Sequence, residues 1–306
     1  MPYYLGIDGG GTKTTCAVGD QTSLLASATA GPSNVVRVGE TAARASLQQS
    51  VRQACAAAGI VPEQVSYACV GGSGAGRPEL ASAVRGFLAE ILSTPIAVVG
   101  DMEIALEAAF DRGPGVIVIA GTGSIAYGRD RQGRTLRAGG WGFAIGDEGS
   151  AHWIGRVAVN AVLRASDRGD RSGDCELAAS LGKEWKAASL LDLARAANAV
   201  PPPNFAALFP GVAASQDPLA QDVLRRAGRE LAEIASVVIG RLFAKDPLDP
   251  VPVAMTGGVF RHSEIVREIF YNELRRLDPR AQVNPRVTDP VVGALRLARR
   301  AASNRG

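Results

Sequence analysis

The first residues that could do chemistry are an acid, a run of glycines and a lysine near the start of the chain. Leu5–Thr14 reads LGIDGGGTKT, and a second apolar run extends from Cys16 to Val18. A strand, a glycine turn and another strand are typical of a β-hairpin. Glycines without Cβ atoms let backbone N–H groups approach a bulky anion. Asp8 is poorly placed for phosphate but well placed for a hydrated Mg²⁺; the alternative is an ordinary turn with a solvated Asp8 and Lys13.

A second glycine turn follows later in the chain. The apolar strand Gly115–Ala120 leads into Gly121–Ser124 and then into a second strand, Ile125–Gly128. A dinucleotide-binding fingerprint would have to open a helix here, whereas the chain reaches another turn at Arg131–Arg134. The first segment is not a Walker A motif either, because Thr12 precedes the lysine where a glycine is required. Both segments therefore favour glycine hairpins.

A third candidate is Asp101, which follows the apolar strand Ile96–Val99 and begins the helical stretch Met102–Phe110. Aspartate is a common helix N-cap. It could also accept the proton of an attacking hydroxyl in phosphoryl transfer, a reaction that depends mainly on positioning and charge stabilisation. The two roles do not exclude each other.

A glycine-rich loop, GGWGFAIGDEGS, precedes another helix. One interpretation makes Trp141 a core residue and Asp147 a helix cap. The other lets a hydroxyl-bearing ligand approach the backbone at the glycines while Asp147 accepts hydrogen bonds from its hydroxyls. We expect His152 to lie on a helix face rather than act as a base, and Trp153 and Ile154 to belong to the core.

The elements that must position these residues occur in two similar series. The first hundred residues read βββαβαβ, with strands at Tyr3–Ile7, Thr14–Val18, Leu24–Ala30, Val65–Val70 and Ile96–Val99 and helices over 41–58 and 77–91. The second series has strands at 115–120, 125–128, 135–138, 251–255 and 282–285, a mainly helical region over 148–245 interrupted by prolines at 201–203, and helices over 262–277 and 289–300.

This repeated order predicts an α/β protein of two halves that face each other across a cleft lined by glycine-bearing strand ends. The first domain is expected to span 1–113 and to be completed by a C-terminal helix over 289–303. The second is expected to span 114–288 and to contain the helical insertion. A nucleotide held between two glycine hairpins fits this arrangement.

Composition excludes several classes of function. The chain of 306 residues has 33 basic and 30 acidic side chains, too balanced for a nucleic-acid-binding protein. Its four cysteines include no CxxC pair and its two histidines offer little for metal or triad chemistry. It opens with no secretory signal, and it has no apolar run long enough to cross a bilayer. We therefore expect a reduced, cytoplasmic protein with no nucleic-acid or membrane partner, in which Cys16, Cys55 and Cys69 are buried.

Five blocks, in order, carry a family resemblance: LGIDGGGTKT, VVGDMEIAL, GVIVIAGTGSIAYG, GGWGFAIGDEGSAHWIG and VAMTGGVF. They resemble the sugar kinase, heat-shock ATPase and actin superfamily, and more narrowly the BadF/BadG/BcrA/BcrD-type ATPase family, which includes N-acetylglucosamine and glucosamine kinases. The closing segment DPVVGALRLA also resembles the last helix of that family. The resemblance implies two ribonuclease H-like domains of the actin-like ATPase type, each βββαβαβα.

The resemblance also implies roles for individual residues. The positions similar to the family's ATP-binding residues are Gly10, Gly11, Thr12 and Lys13 in the first phosphate hairpin, Gly121, Thr122 and Gly123 in the second, and Gly257 and Gly258 at the base and ribose. Asp8 would hold the hydrated Mg²⁺. Asp101 falls where the family keeps the carboxylate that accepts the sugar's proton. The positions similar to its sugar-binding residues are Asn34, Ser73, Asp101, Gly140, Trp141 and Asp147.

By this resemblance we expect a homodimeric, ATP-dependent kinase that phosphorylates the 6-hydroxyl of N-acetylglucosamine or glucosamine, or of the related N-acetylmuramic acid. The chain departs from the animal N-acetylglucosamine kinases at Ile125, where those have asparagine, so the acceptor stays open. One alternative is an activator ATPase for a dehydratase or reductase, which would need cysteines to hold an iron–sulfur cluster. Another is a non-catalytic sugar-sensing regulator, which usually carries a DNA-binding segment before the first strand.

Overall fold

The computed structural model describes residues 2–72, 74–75, 77–169, 175–245 and 250–304. The chain divides into two compact units, one formed by Met1–Gly113 together with Thr288–Gly306 and the other by Pro114–Val287. We refer to them as unit 1 and unit 2.

Each unit contains one five-stranded sheet. The strands of unit 1 are β1 (Tyr3–Gly9), β2 (Thr14–Gly19), β3 (Leu24–Ala30), β4 (Val65–Gly72) and β5 (Ile96–Gly100), and those of unit 2 are β6 (Gly115–Ala120), β7 (Ser124–Arg129), β8 (Thr135–Gly139), β9 (Val251–Thr256) and β10 (Ala281–Val287). The orders are β3-β2-β1-β4-β5 and β8-β7-β6-β9-β10. In each sheet the first three strands form an antiparallel meander and the last two run parallel to its first strand. The two sheets thus have one topology, which confirms the predicted duplication.

The helices are α1 (Val35–Ala57), α2 (Pro78–Ala89), α3 (Asp101–Phe110), α4 (Ala151–Asp167), α5 (Glu176–Trp185), α6 (Leu190–Ala197), α7 (Phe209–Ala214), α8 (Pro218–Leu242), α9 (Gly258–His262), α10 (Glu264–Leu277) and α11 (Pro290–Ser303). Of these, α1, α2, α3 and α11 belong to unit 1 and the remainder to unit 2. The sheets and their helices form two ribonuclease H-like units, the fold that the sequence predicts.

Helices cover both faces of the unit 1 sheet. On one face Leu47 and Val51 of α1 and Phe87 of α2 join the buried side chains of β1. On the other face α11 packs so closely that a Cβ on Gly6 would lie 2.3 Å from the backbone nitrogen of Leu295. Glycine at position 6 therefore allows direct contact between a helix backbone and a central strand.

Two helix boundaries differ from the predicted ones. The first helix begins at Val35 rather than at residue 41, because the Asn34 side chain caps it by accepting from the Arg37 N–H, and it is kinked at Gly39, whose φ is 77°. The helix predicted over 262–277 begins at Glu264, because the Ser263 side chain caps α10, and the short helix α9 that precedes it was not predicted.

Burial agrees with the predicted core. Cys16, Cys55 and Cys69 are buried, and so are Trp153 and Ile154 in α4. Among the described helices none is both long and apolar enough to cross a membrane.

Candidate active site

The first glycine turn joins β1 to β2. The Gly10 N–H donates to the Lys13 carbonyl at 3.0 Å, and a Cβ on Gly10 would lie 2.9 Å from that oxygen. Thr12 and Lys13 are exposed at the tip, and Asp8 is half-buried at the end of β1. The turn therefore presents backbone, a lysine and a carboxylate together at the carboxyl end of the central strand.

Two hydroxyls absent from the predicted site fasten this turn to the next loop. The buried Thr14 Oγ1 lies 2.8 Å from the Gly31 carbonyl and 2.8 Å from Ser33 Oγ. The Ser33 N–H in turn donates to the Gly10 carbonyl at 3.2 Å. Asn34, a predicted sugar-binding residue, follows directly and is held in place as the cap of α1. A hydroxyl right after a glycine turn is the only sequence signal that could have indicated this connection.

Asp101 is the first residue of α3, at the carboxyl end of β5. The N-cap residue is Gly100, whose N–H donates to the Glu103 carboxylate at 2.9 Å. The Asp101 side chain is therefore not the cap of this helix. The Asp101 carboxylate accepts from the Met102 N–H at 2.9 Å and is partly exposed. Because Gly100 pairs with Gly72 of β4, which continues in register to Gly9 of β1, Asp101 lies at the same sheet edge as the first turn.

The remaining predicted residue of unit 1, Ser73, lies outside the described residues.

The second glycine turn lies in unit 2 and is hydrogen-bonded to the first residues of α4. The Gly121 N–H donates to the Gly123 carbonyl at 2.9 Å. The Ala151 and His152 N–H groups at the start of α4 donate to the carbonyls of Gly121 and Thr122 at 2.9 and 3.3 Å. These bonds hold the turn in place through its carbonyl oxygens.

Asp147 is attached to this same turn. Its carboxylate accepts N–H groups of Ser124 and Gly142, and a Cβ on Gly123 would lie 2.8 Å from its Oδ2. Burial raises the pKa of Asp147, and the two backbone N–H groups partly oppose that rise. Asp147 has a φ of 59° and does not cap α4, a role that Ser150 fills by accepting from the Trp153 N–H at 3.2 Å. Asp147 thus links the second glycine turn to the glycine-rich loop, a role not visible in the sequence.

The glycine-rich loop itself exposes large apolar side chains. Trp141 is 68% exposed, which excludes the core role considered from the sequence, and the Arg137 guanidinium lies 4.7 Å from its ring centroid. Gly140 has a φ of 69°, and a Cβ there would lie 2.7 Å from Cδ1 of Ile125. Ile125 therefore packs against Gly140, a predicted sugar-binding residue.

His152 lies in the first turn of α4, as predicted for a helix-face residue, with its ring 5.0 Å from that of Phe143 and 5.2 Å from that of Phe205.

Gly257 and Gly258 follow β9, the strand next to β6. Gly257 has a φ of 104°, and a Cβ there would lie 2.2 Å from the Ala120 carbonyl, so only glycine fits. Gly258 is exposed with open space where a Cβ would be. These residues and the second turn thus share one sheet edge of unit 2.

Two ribonuclease H-like units with this strand order, each bearing a glycine turn after its first strand, define an ATPase of the actin-like class. The chain matches the model of the BadF/BadG/BcrA/BcrD ATPase family over residues 5–298 and belongs to that family.

Similar proteins are known from several organisms. An N-acetylmuramic acid/N-acetylglucosamine kinase of Clostridium acetobutylicum is 32% identical, with 98% of this chain and 99% of the relative covered. An N-acetyl-D-glucosamine kinase of Dictyostelium discoideum is 30% identical, with 96% and 97% covered. A solved structure from Chromobacterium violaceum, of a candidate N-acetylglucosamine kinase, is 28% identical with a TM-score of 0.76 and covers 97% of this chain and 99% of its own.

Proposed function

We propose that this protein is an ATP-dependent amino-sugar kinase, which phosphorylates the 6-hydroxyl of N-acetylglucosamine or glucosamine, with N-acetylmuramic acid as a related acceptor. The observation that carries the proposal is the position of Asp101, a partly exposed carboxylate at the start of α3 beside the first glycine turn. Family membership and the full-length similarity to two amino-sugar kinases support the same reaction.

In the proposed reaction Asp101 is the general base. Its carboxylate accepts the proton of the sugar's primary hydroxyl as that oxygen bonds to the γ-phosphorus of ATP, and the bond from phosphorus to the β–γ bridging oxygen breaks to release ADP. The hydrogen bond from the Met102 N–H orients this carboxylate at the start of α3.

The two glycine turns are proposed to bind the phosphates of ATP. Backbone N–H groups of Gly11 and Thr12, with the Lys13 ammonium, would contact one part of the phosphate chain, and those of Thr122 and Gly123 another. Gly10 and Gly121, whose N–H groups donate within their own turns, would let the phosphates approach the backbone closely. At Gly121 a Cβ would meet nothing within 4 Å. Glycine is thus not required there by the fold, which is the pattern expected where a ligand approaches the backbone. Gly257 and Gly258 would contact the base and ribose.

Mg²⁺ is proposed to bind beside Asp8, a half-buried carboxylate next to the first turn, because carboxylate oxygens are ligands that a hydrated Mg²⁺ accepts. When bound, the ion would neutralise charge on the transferred phosphate. Asp8 is proposed to hold it through its water ligands.

The acceptor sugar is proposed to contact Asn34, Ser73, Gly140, Trp141 and Asp147 in addition to Asp101. The exposed Trp141 ring offers a face for a pyranose, and the positive φ values of Gly140 and Gly142 shape the loop around it. Asp147 already accepts two backbone N–H groups, so any contact with a sugar hydroxyl would add to that role.

The proposal is tested by incubating the protein with ATP–Mg²⁺ and N-acetylglucosamine, glucosamine, N-acetylmuramic acid or glucose. ADP release and the mass and position of the phosphorylated product are measured. We expect sugar 6-phosphate from at least one amino sugar at a rate well above sugar-free ATP hydrolysis. ATP turnover that no sugar stimulates would overturn the proposal, and an iron-containing coloured protein would favour an activator ATPase instead.

A homodimer working in the cytoplasm is part of the same proposal. Light scattering of the purified protein tests the dimer, and fractionation of the native cells tests the location.

A further inference from the structure

The helix that begins with Asp101 ends in a buried ion pair. Glu107 lies in the last turn of α3 and is only 3% exposed. The Arg300 guanidinium of α11 places Nη2 2.5 Å from Glu107 Oε1 and Nη1 2.7 Å from Oδ1 of Asp111, the residue that follows α3. One guanidinium thus joins two carboxylates at the end of the helix opposite to Asp101.

A second arginine of α11 bonds the backbone at the same place. Arg296 donates through Nη1 to the carbonyls of Glu107 and Ala108 at 3.1 and 3.3 Å. Arg296 and Arg300 are four residues apart, so both project from the same face of α11. We call Arg296 and Arg300, with Glu107 and Asp111, the arginine clasp.

Close packing supports α3 between these two ends. A Cβ on Gly293 of α11 would overlap the Ile104 carbonyl oxygen, and a Cβ on Gly71 of β4 would overlap Cδ1 of Ile104. These contacts prevent movement of α3 towards α11 or β4. The directional bonds of the arginine clasp, by contrast, hold α3 along its own axis.

The charges of the arginine clasp indicate more than a contribution to stability. A buried ion pair is often no more stabilising than apolar side chains of similar volume, but it holds its partners in one geometry. Glu107 is six residues from Asp101 in one helix, about 9 Å along the axis at 1.5 Å per residue. A shift of one end of so short a helix therefore moves the other end, and a misplacement of about 1 Å in a reacting group can cost roughly 10²-fold in rate.

We propose that the arginine clasp positions the Asp101 carboxylate for proton transfer, so that Arg296 and Arg300 of the last helix are positioning residues that act through α3. This inference rests on the proposed kinase function and adds residues to it that lie outside its phosphate and sugar contacts.

The test replaces the buried ion pair by apolar side chains in the double variant Glu107→Leu/Arg300→Met. The protein should remain folded in a thermal melt, because no buried charge is left unpaired and Asp111 is exposed to water. We expect kcat to fall at least tenfold while the KM values for ATP and sugar change less than threefold. Arg300→Lys keeps a charge beside Glu107 but lacks the planar fork that bonds both carboxylates, so its kcat should lie between those of the double variant and the wild type.

Arg299→Met is the matched control within the same helix. Arg299 donates to the carbonyls of Asp20 and Ser23 at 2.7 and 2.8 Å, in the turn between β2 and β3 and away from α3. Its substitution should lower the melting temperature but leave kcat within twofold of the wild type. An equal loss of kcat in Arg299→Met would show that α11 has only a structural role and would overturn the inference.

A double-mutant cycle asks whether the arginine clasp acts through Asp101. Once Asp101→Asn has removed the carboxylate, its position no longer matters, so the substitutions at Glu107 and Arg300 should lower kcat less than twofold further. A further fall of tenfold would mean that they act elsewhere, and the inference would be wrong.

The outcomes separate the two proposals. If the wild type phosphorylates an amino sugar and the double variant keeps its kcat, only this inference fails. If the wild type phosphorylates none, the kinase function fails and this inference with it. Should the double variant not fold, Arg296→Met decides by the same measurements, with a fall in kcat of at least threefold expected and an unchanged kcat contradicting the inference.

Discussion

The Thr14 and Ser33 hydroxyl oxygens lie 2.8 Å apart in the interior of unit 1. Thr14 begins the strand that leaves the first glycine turn, and Ser33 precedes the helix cap Asn34. One buried hydrogen bond therefore fixes the distance between a proposed phosphate-binding turn and a proposed sugar-binding residue. Since in-line transfer requires both substrates to be aligned, this bond is expected to matter for turnover as well as for stability.

Replacing Thr14 by valine keeps the shape of the side chain and removes its hydroxyl. We expect the free energy of unfolding to fall by about 1–3 kcal/mol, because the Gly31 carbonyl and the Ser33 hydroxyl lose a buried partner. Urea denaturation measures the change. Thr15→Val is the control, since Thr15 lies on the more exposed face of β2 and its contact with Thr29 is longer, at 3.4 Å. Equal effects of the two substitutions would contradict the proposed connection.

Replacing Asp101 by asparagine should lower kcat by roughly 10²- to 10⁴-fold, the usual contribution of a general base. The KM for sugar should change less than threefold, because the amide still hydrogen-bonds a hydroxyl. Steady-state kinetics and a thermal melt check both points. Asp222→Asn, at an exposed position of α8, should behave as the wild type. A kcat within tenfold of the wild type would remove Asp101 from the role of base.

Alanine substitutions at the two glycines of the second turn should distinguish an effect on folding from an effect on ATP binding. In Gly121→Ala the new methyl meets nothing within 4 Å, so the melting temperature should stay within about 2 °C of the wild type, corresponding to about 1 kcal/mol or less. The KM for ATP should nevertheless rise at least tenfold, because the methyl occupies space near the phosphates. Gly123→Ala, by contrast, should destabilise the protein, since its methyl would lie 2.8 Å from the Asp147 carboxylate. An unchanged KM for ATP in Gly121→Ala would contradict the phosphate assignment.

The raised pKa of Asp147 predicts that the free energy of unfolding depends on pH. Because burial raises its pKa in the folded protein, the folded state holds the proton more tightly than the unfolded state does. The ionised carboxylate therefore costs stability at neutral pH, and this cost disappears as the pH falls through the raised pKa towards the ordinary value of 3.8. The Asp147→Asn variant lacks this titration. Relative to that variant, the wild type should gain stability between pH 7 and pH 4, as measured by urea denaturation at each pH; a difference independent of pH would refute the assignment.

Local sequence was enough to predict most elements of the fold. Apolar runs that end at glycine are enough to predict many of the strands. Strands β3 and β6 begin and end at the predicted residues. The start of α1 was missed because Gly39 interrupts the helical pattern, whereas Asn34 supplies a cap strong enough to begin the helix before it. Local patterns therefore predict an element well, except where a capping residue favours a helix and a glycine within the same helix interrupts its pattern.

The candidate site was predictable only in part, for a different reason. Glycine turns and Asp101 are recognisable because their residue types are unusual where they occur. The brace formed by Asp147 with the N–H groups of Ser124 and Gly142 joins segments about twenty residues apart.

Helix α11 packs against the sheet of unit 1, where it buries Tyr4, Tyr67 and Cys69, and Arg299 donates to the carbonyls of Asp20 and Ser23. On the ribosome, however, this helix emerges only after every residue of unit 2. Most of unit 1 is therefore synthesised before unit 2, but unit 1 is completed only after it. Tyr4 and Tyr67 stay uncovered by α11 while unit 2 is being synthesised. Unit 2 is continuous in the chain, so a polypeptide that ends before residue 288 would contain every residue of unit 2 but would lack the helix that completes unit 1.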